Sequence, residues 1–533
     1  MNKYFHYFHP SCSEGTSSVS FAYDSTIISL KELLMFELQQ IAYYIDKLSS
    51  LGVDVSVKRD KVIEFISAVI TNLYLKRESF EFIIKDLEDN KDKLEELYVS
   101  ACSELSVEPE VLTEKQISGL KAGKFKEIGI EERQKYLKNS IFPSSKQVFY
   151  EIIMKLVQSS AIIISELKEY GKIESGAADE VIKILSKCNF VDEPNEVWEK
   201  NIDDFSQVNY KLHLALTNVL SETYGAVKRH SISTNTVQGK CILVTGHFYK
   251  DLERILEATK DLDINIYTHA DLLMAHSYEK FSQYPHLKGH YQRAYNNLQL
   301  DFASFPGPIL ITSHSIPHTE IIRGQIYTVD NFSAFGLAKI ENNDFSPVIN
   351  YAKNSCGFTK DTPETKISVG YDSDEIKVKM EELGAKVNRG EIKHIFVLGG
   401  LDRFQGQDNY FKNFMEKCEK DCFVISFSYN FERENLLHIN SHYDFQLLWG
   451  MLEKLNREYG LKNYPISVFL TRCNSKAVSN IFNLRALGIK NIYLPPCFPN
   501  VMNPNLVKGL VNNFGVKMIS ESAKDDISAI MNG

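Results

Sequence analysis

The hydrophobic pattern divides the chain into a helical first part and a second part that alternates strands with helices. From 29 to 48, apolar residues recur with helical spacing and form one face of an amphipathic helix, made by Leu30, Leu34, Leu38, Ile41, Ile45 and Leu48. The same spacing predicts further helices at 60–76, 78–103, 145–170, 176–188 and 206–227. Strand patterns are scarce before residue 238, so we predict a helical bundle domain over 27–230, preceded by a Ser-rich arm at 1–26.

The second part begins after a polar, helix-poor segment at 230–240, which is typical of a linker. Short runs rich in β-branched residues then alternate with amphipathic helices. The predicted strands are 241–246, 263–268, 308–313, 325–329, 366–371, 394–400, 422–428, 466–471, 491–496 and 516–520. Because this alternation is typical of parallel sheets covered by helices, we predict two Rossmann-like, doubly wound α/β domains at 238–365 and 366–533.

Composition narrows the class of protein further. The 533 residues are 44% hydrophobic and 24% charged, as in ordinary globular proteins, and a net charge of −9 argues against nucleic-acid binding. No run approaches the length of a transmembrane helix, and the N-terminus lacks the apolar core of a signal peptide, so we expect no membrane association and a cytoplasmic location. The nine cysteines are scattered. We therefore predict that they are free thiols and form no disulfides. The sequence also lacks the run of closely spaced cysteines that is typical of iron–sulfur proteins.

Candidate chemistry is concentrated between residues 241 and 318. A strand-like run, CILVTG, ends at Gly246 and His247, and a second one, PILITS, ends before His314 and Ser315. Between them, Asp271 follows a third predicted strand. Because ligands of open α/β sheets bind beyond the carboxyl ends of the strands, this pattern predicts a site at one edge of the first sheet.

Several segments resemble, in order, those of the hybrid-cluster (prismane) protein family. They are VTGHFYKDL (244–252), NIYTHADLLMAH (265–276), HLKGHY (286–291), FPGPILITS (305–313), KHIFVLGGLD (393–402), SKAVSNI (475–481) and LGIKNIYLPP (487–496). The resemblance covers nearly the whole chain and implies the carbon monoxide dehydrogenase-like fold. It also implies a cubane cluster near the N-terminus, a hybrid iron–sulfur–oxygen cluster between the domains, and reduction of hydroxylamine or nitric oxide.

The resemblance also implies a ligand set, which this sequence departs from. In the family the hybrid cluster is held by one histidine, two glutamates and four cysteines, and His247 matches the histidine. Asp271 and Asn474 stand at the glutamate positions. The cysteine positions fall on Ser315, Leu401, Tyr429 and, in a looser alignment, His442.

Two further comparisons with the family concern a lysine beside the hybrid-cluster ligands and the separate cluster near the N-terminus. Lys476, after the second glutamate position, is retained, whereas the N-terminal cluster positions fall on His6 and His9, followed by Cys12. Because iron–sulfur clusters require thiolates, we expect neither family cluster, and no iron–sulfur cofactor, in this chain. Large residues at Leu401 and Tyr429 predict that the old cluster cavity is partly filled.

Three function classes follow from these residues. The first is a degenerate homologue, inactive as a reductase, that acts as a binding, scaffold or assembly protein with a protein partner or as a homo-oligomer. The second is a metalloenzyme with Fe, Mn or Zn on imidazole and carboxylate groups of the old cavity, centred on His247, Asp271 and His442, with His314 and Asp444 as further candidates. The third is a conventional hydroxylamine or nitric oxide reductase. We interpret His269 and His276 as helix-capping and core-network residues and not as ligands.

Overall fold

The computed structural model describes most of the chain. The described residues are 25–71, 77–112, 146–188, 193–291, 298–313, 325–329, 337–398, 407–427, 433–439, 445–460, 463–470, 475–494 and 504–532.

The secondary-structure elements described before residue 225 are all helices, joined by turns and loops. The helices are α1 Ser25–Ser50, α2 Ser56–Thr71, α3 Arg77–Glu104, α4 Gln147–Glu169, α5 Ser175–Lys187 and α6 Asn195–Tyr224. The predicted apolar face of α1 is buried from Leu34 to Leu48 and packs against α3 and α5, while α2 packs against α4. The predicted helical bundle is therefore confirmed, although α6 begins earlier than the sequence pattern indicates.

One described helix has the length and composition of a membrane span. It covers Val148–Glu169, and 78% of its most apolar stretch is buried inside the protein. Burial on this scale is typical of the central helix of a bundle, whose apolar surface is covered by neighbouring helices.

The remaining elements belong to the α/β part of the chain. Its strands are β1 His230–Ser233, β2 Cys241–Thr245, β3 Asn265–His269, β4 Leu287–His290, β5 Ile309–Ile311, β6 Ile326–Thr328, β7 Ala338–Lys339, β8 Lys366–Val369, β9 His394–Leu398, β10 Cys422–Ser426, β11 Leu436–His438, β12 Ile466–Phe469, β13 Ile492–Leu494 and β14 Lys517–Met518. Its helices are α7 Tyr249–Thr259, α8 Leu298–Ser304, α9 Ser346–Asn354, α10 Ser373–Asn388, α11 Gln407–Lys417, α12 Phe445–Tyr459, α13 Ser475–Ala486, α14 Pro504–Phe514 and α15 Ala523–Asn532.

These strands form two parallel sheets with the same strand order. The first sheet is ordered β4-β3-β2-β5-β6-β7 and the second β11-β10-β9-β12-β13-β14. In both, the central strands are buried on both faces, as parallel strands between helices must be. The predicted pair of doubly wound α/β sheets is confirmed.

The segments around 230 and 366 depart from the prediction. We expected a linker at 230–240 and the opening strand of the second sheet at 366–371. Instead β1 and β8 pair antiparallel in a separate two-stranded sheet, with His230 opposite Val369. Both strands are largely half-exposed, which suits an antiparallel ribbon and not a buried parallel strand.

Besides β1, three short strands were not predicted. They are β4, β7 and β11, and each has only two to four residues. Strand β4 reads LKGH, without an apolar run, and is fixed by its neighbours. Gly289 in this strand has φ +154°, and a Cβ there would lie 2.1 Å from the carbonyl oxygen of Ser233, so glycine allows β1 to pass directly against β4.

The chain divides into two compact units. The first contains the described residues up to Leu212 together with 504–509, and the second contains those from His213 onward together with 510–532. Both parallel sheets lie in the second unit.

Candidate functional site

The strand order of the first sheet creates a switch point between β2 and β5. From β2 the chain proceeds to β3 and β4 on one side, while β5, β6 and β7 follow on the other. In open α/β sheets the crevice beyond such a switch point is where ligands bind. Gly246 and His247 follow β2 at this position, and Thr312 and Ser313 follow β5.

Thr312 holds the two strand ends together. Its backbone N–H donates to the carbonyl oxygen of Thr245 at 2.9 Å. Its hydroxyl oxygen accepts from the backbone N–H groups of His247 and Phe248, both at 3.3 Å. The turn that carries His247 is therefore fixed by a side chain of the neighbouring strand.

A buried carboxylate fixes the other side of the switch point. Asp251, in the first turn of α7, accepts from the backbone N–H of Ser313 at 2.8 Å and from Arg254 at 2.9 Å. Burial raises the pKa of Asp251, against the opposing effects of the Ser313 and Arg254 hydrogen bonds. A buried carboxylate needs such partners, since an unpaired one would be costly.

His247 and Asp271 lie beside the same interstrand contact. The backbone N–H of Leu272 donates to the carbonyl oxygen of Gly246 at 3.0 Å, which ties the loop after β3 to the loop after β2. Ala270, just before Asp271, has φ +57°, an unfavourable conformation for a residue with a Cβ and one that is found at functional sites. The structure therefore brings both predicted residues, each half-buried, to one sheet edge.

A hydrogen-bonded chain lies beneath this edge. His269 Nδ1 is 2.8 Å from the hydroxyl of Thr245, and His269 Nε2 is 3.4 Å from Asp301 Oδ2. A carboxylate only accepts, so the Nε2–H of His269 donates to Asp301, while Nδ1 pairs with the hydroxyl of Thr245. The order Thr–His–Asp resembles a nucleophilic triad, but Thr245 is only 3% exposed, so no substrate reaches its hydroxyl.

A second buried set is centred on Thr268. Its hydroxyl is 2.8 Å from His276 Nε2 and 3.0 Å from His290 Nδ1. Because a hydroxyl has a single proton, at least one of these nitrogens carries the N–H that donates to Thr268. Burial lowers the pKa of His276 to about 4, with a further contribution from His230, so His276 is neutral at neutral pH. His269 and His276 are both buried and hydrogen-bonded in the core, as predicted, but His269 makes no side-chain capping hydrogen bond.

Cysteines do not lie at this edge within the described residues. Cys241 and Cys422 begin their strands, at the amino edges of the two sheets, and Cys102 and Cys188 lie in the helical part. Across the same described ranges, no group of three His, Cys, Asp or Glu side chains is close enough to hold a metal ion.

Other predicted site residues lie outside the described residues. They are His6, His9, Cys12, His314, Ser315, Leu401, Tyr429, His442, Asp444 and Asn474. Lys476 lies in the first turn of α13. In sequence, Leu401 comes three residues after β9 and Tyr429 three residues after β10, so both follow carboxyl ends of adjacent strands.

Several residues that build the site were not predicted from the sequence. Asp251, His290, Asp301 and Thr312 fix the strand ends or the network, and none was singled out. Asp251 and His290 do fall within the quoted segments VTGHFYKDL and HLKGHY, where a polar residue in an apolar element was an available signal. Asp301 had no comparable signal, because an acidic residue in a short helix is ordinarily exposed.

A protein-family model and curated relatives both match nearly the whole chain. The model of the Prismane/CO dehydrogenase family matches residues 22–527. A hydroxylamine reductase from Acidiphilium cryptum is 29% identical over 95% of this chain and 94% of its own length. A hydroxylamine reductase from Acidithiobacillus ferrooxidans is 28% identical over 94% of this chain and 93% of its own length.

Solved structures share the fold at much lower identity. Carbon monoxide dehydrogenase IV from Carboxydothermus hydrogenoformans matches with a TM-score of 0.51 and 12% identity, covering 95% of this chain and 87% of the enzyme. The same TM-score and identity are found for a structure of acetyl-CoA synthase/carbon monoxide dehydrogenase, which is covered to 82%. These matches concern the fold alone.

Proposed function

We propose, from the premise that this chain belongs to the Prismane/CO dehydrogenase family, that it is a divergent member without the family's iron–sulfur clusters. In this proposal it is not a hydroxylamine or nitric oxide reductase but a binding, scaffold or assembly protein, acting as a homo-oligomer or with a protein partner. The proposal includes no membrane and no nucleic-acid partner.

The residue types at the cluster positions carry this proposal. Sulfide-bridged iron needs thiolate ligands, and the matching positions hold Ser315, Leu401, Tyr429, His442 and Asn474. The described donors at the strand ends, His247 and Asp271, supply an imidazole and a carboxylate. The described strand cysteines, Cys241 and Cys422, are the first residues of β2 and β10. They therefore lie at the amino edges of the two sheets, whereas His247 and Asp271 lie at a carboxyl edge. This donor set does not fit an iron–sulfur cluster.

The first test is metal and sulfide analysis of protein purified anaerobically without added metal. We expect a colourless protein without iron or acid-labile sulfide and without hydroxylamine reduction. The hydroxylamine reductase of Acidiphilium cryptum, prepared in parallel, is the matched control for cluster loss during handling. A brown protein with iron and sulfide in similar amounts would refute the proposal. A discrete oligomer in light scattering, or a co-purifying partner, is the result expected of a scaffold.

A metalloenzyme is the second candidate, and one observation favours it. His247 and Asp271 are half-buried and lie beside the Leu272–Gly246 hydrogen bond that joins two strand ends. Imidazole and carboxylate groups suit Fe²⁺, Mn²⁺ or Zn²⁺. With His442, and with His314 as a further ligand, they would form a site without sulfur.

The variants that separate these candidates are His247→Ala and Asp271→Asn. For a metalloenzyme we expect about one equivalent of Fe, Mn or Zn in the parent protein, lost in both variants. His213→Gln, a half-buried histidine in α6, is the control and should keep the metal. Metal retained by all three variants would exclude a site on His247 and Asp271.

A further inference from the structure

Exposed apolar side chains are concentrated at the end of α3. Among the described residues, eleven large apolar side chains are exposed, and five of them lie within the fifteen residues from 97 to 111. Leu105, Val107 and Val111 are 55%, 49% and 44% exposed. Isolated exposed apolar residues are ordinary, whereas a concentration of them is typical of an interaction surface. We call the stretch 103–111, in which every residue is exposed, the α3-end surface.

The chain turns back along the helix where α3 ends. The N–H of Val107 donates to the carbonyl oxygen of Cys102 at 2.9 Å, and the N–H of Glu110 donates to the hydroxyl oxygen of Tyr98 at 3.2 Å. Since Tyr98 lies nearly two turns before the end of α3, the stretch 107–110 lies against the helix and does not extend away from it. The exposed apolar side chains therefore belong to a folded part of the protein.

Tyrosine side chains of α1 fix the returning stretch. The hydroxyl of Tyr43 donates to the carbonyl oxygen of Glu110 at 2.9 Å, and the hydroxyl oxygen of Tyr44 accepts from the N–H of Leu112 at 3.3 Å. Lys47 pairs with the carboxylate of Glu110, and Leu112 is only 4% exposed. Because the stretch is held in place before any partner arrives, binding to it costs less conformational entropy than binding to a free loop.

The α3-end surface and its surroundings are acidic. From 92 to 111 the chain contains six acidic residues and one lysine, a net charge of −5. The last turn of α3 has no basic residue, although the carboxyl end of a helix favours cations. Glu104 is the last residue of this helix, and within the described residues neither Glu104 nor Glu108 forms an ion pair. A cation supplied by a partner would therefore meet both a helix end and unpaired carboxylates.

We propose that the α3-end surface binds a basic amphipathic segment of a partner protein. Apolar side chains of that segment contact Leu105 and Val107, and its lysine or arginine side chains pair with Glu104 and Glu108. A second copy of this chain is a poor match, because it would bring one acidic surface against another. The proposal names the chemistry of the protein partner and in this respect rests on the proposed scaffold function. The surface lies in the first unit, whereas the candidate site lies in the second.

The test measures the binding of a labelled synthetic peptide, with leucine and lysine at amphipathic helical spacing, to the full-length protein. Fluorescence anisotropy should show saturable binding that weakens several-fold from about 50 to about 300 mM salt, because salt screens exposed charges. A matched peptide with glutamate in place of lysine should not bind. Carbodiimide crosslinking then locates the site. Since trypsin cleaves after Lys93 and Lys115, the linked carboxylates should lie in the peptide 94–115.

Substitutions of exposed apolar residues test the surface without disturbing the core. Leu105→Ser with Val107→Ser should weaken peptide binding about tenfold or more, because both apolar contacts are lost. Val378→Ser with Glu381→Gln is the matched control. It removes one exposed apolar and one exposed acidic residue of α10 and should leave the dissociation constant unchanged. Equal losses in the two double variants would show that the peptide responds to net charge alone and would overturn the proposal.

Substitution of the carboxylates tests the charged part of the surface. Glu104→Gln with Glu108→Gln should weaken binding by a similar factor and reduce its dependence on salt. Crosslinks outside the peptide 94–115 would mean another binding site. An oligomer that dissociates on Leu105→Ser with Val107→Ser would mean that a second copy occupies the surface. Either result would overturn the proposal.

Failure of this proposal is distinguishable from failure of the proposed function. A brown protein with iron and sulfide that still binds the peptide at this surface would refute the proposed function alone. A colourless, iron-free protein that does not bind the peptide would refute the surface alone.

Discussion

The two parallel sheets share one strand order but differ in what their interiors contain. Around β2 and β3 of the first sheet, threonine, histidine and aspartate side chains form buried hydrogen bonds beneath the candidate site. Around β9 and β12 of the second sheet, the interior is an aromatic cluster. The rings of Phe469 and Tyr493 stack 4.7 Å apart, and Phe414 packs edge-on against Phe469.

The difference shows that topology fixes where a site can form but not what the supporting interior is made of. Apolar packing supplies stability in bulk and tolerates repacking. A buried polar network supplies less net stability, but it holds strand ends in one arrangement because an unpaired group would be costly. We therefore expect the first sheet to hold its strand ends in a more sharply defined arrangement, and the second sheet to tolerate substitutions in its interior better.

The largest expected effect tests the aromatic interior. Phe469→Ala leaves a cavity at the centre of the cluster and should lower the free energy of unfolding by about 3–5 kcal/mol. Urea denaturation measures it. Val378→Ala, at a 53% exposed position of α10, is the control and should stay within about 0.5 kcal/mol of the parent. A loss below about 1 kcal/mol for Phe469→Ala would contradict a tightly packed second core.

The next effect concerns pH, because a buried histidine after β3 of the first sheet, His276, and one in β9 of the second sheet, His394, both have strongly lowered pKa values. Burial lowers the pKa values of His276 and His394 from 6.5 to about 4. Between pH 6.5 and 4 these histidines bind more protons in the unfolded chain than in the folded one. Their contribution to the free energy of unfolding is therefore full above pH 6.5 and is lost as the pH falls towards 4. Each histidine should account for up to about 3 kcal/mol of that loss.

Denaturation at a series of pH values measures this loss. His276→Gln and His394→Gln should each flatten the dependence of the unfolding free energy on pH between 6.5 and 4. Equal flattening would mean that both interiors exclude the charged imidazole alike. No flattening in either variant would contradict the assigned pKa values.

The smallest effect compares single hydroxyl groups. Thr268→Val removes the partner of both His276 and His290 and should cost about 2 kcal/mol, whereas Ser467→Ala removes the single 2.9 Å contact to His394 and should cost about 1 kcal/mol. Thermal or urea unfolding of both variants gives the comparison. A larger loss for Ser467→Ala would reverse the distinction between the two interiors.

Much of the fold could be predicted from the sequence, because long apolar periodicities identify helices and buried strands. The face of α1 and the strands around CILVT and HIFVL are examples. The polar strands β1 and β4 could not, since HSIS and LKGH carry no apolar run and are fixed by tertiary pairing.

The candidate site was predictable only in outline. His247 and Asp271 follow strands that can be recognised locally, so their shared edge could be inferred. The contacts that position them, from Thr312 to the N–H of His247 and from Asp251 to the N–H of Ser313, join residues more than sixty positions apart. No local pattern encodes such contacts.

The antiparallel pairing of β1 with β8 has a consequence for how this chain can be rebuilt. The segment from 234 to 365 leaves and rejoins the rest of the molecule at one point, where Thr234 donates its N–H to the carbonyl oxygen of Thr365 at 2.9 Å. Proteins tolerate an inserted segment when its two ends lie close together, because the surrounding chain then keeps its own path. Because its two ends meet at these threonines, the segment has the form of an insertion, and a homologous segment joined at the same two positions should fold in its place.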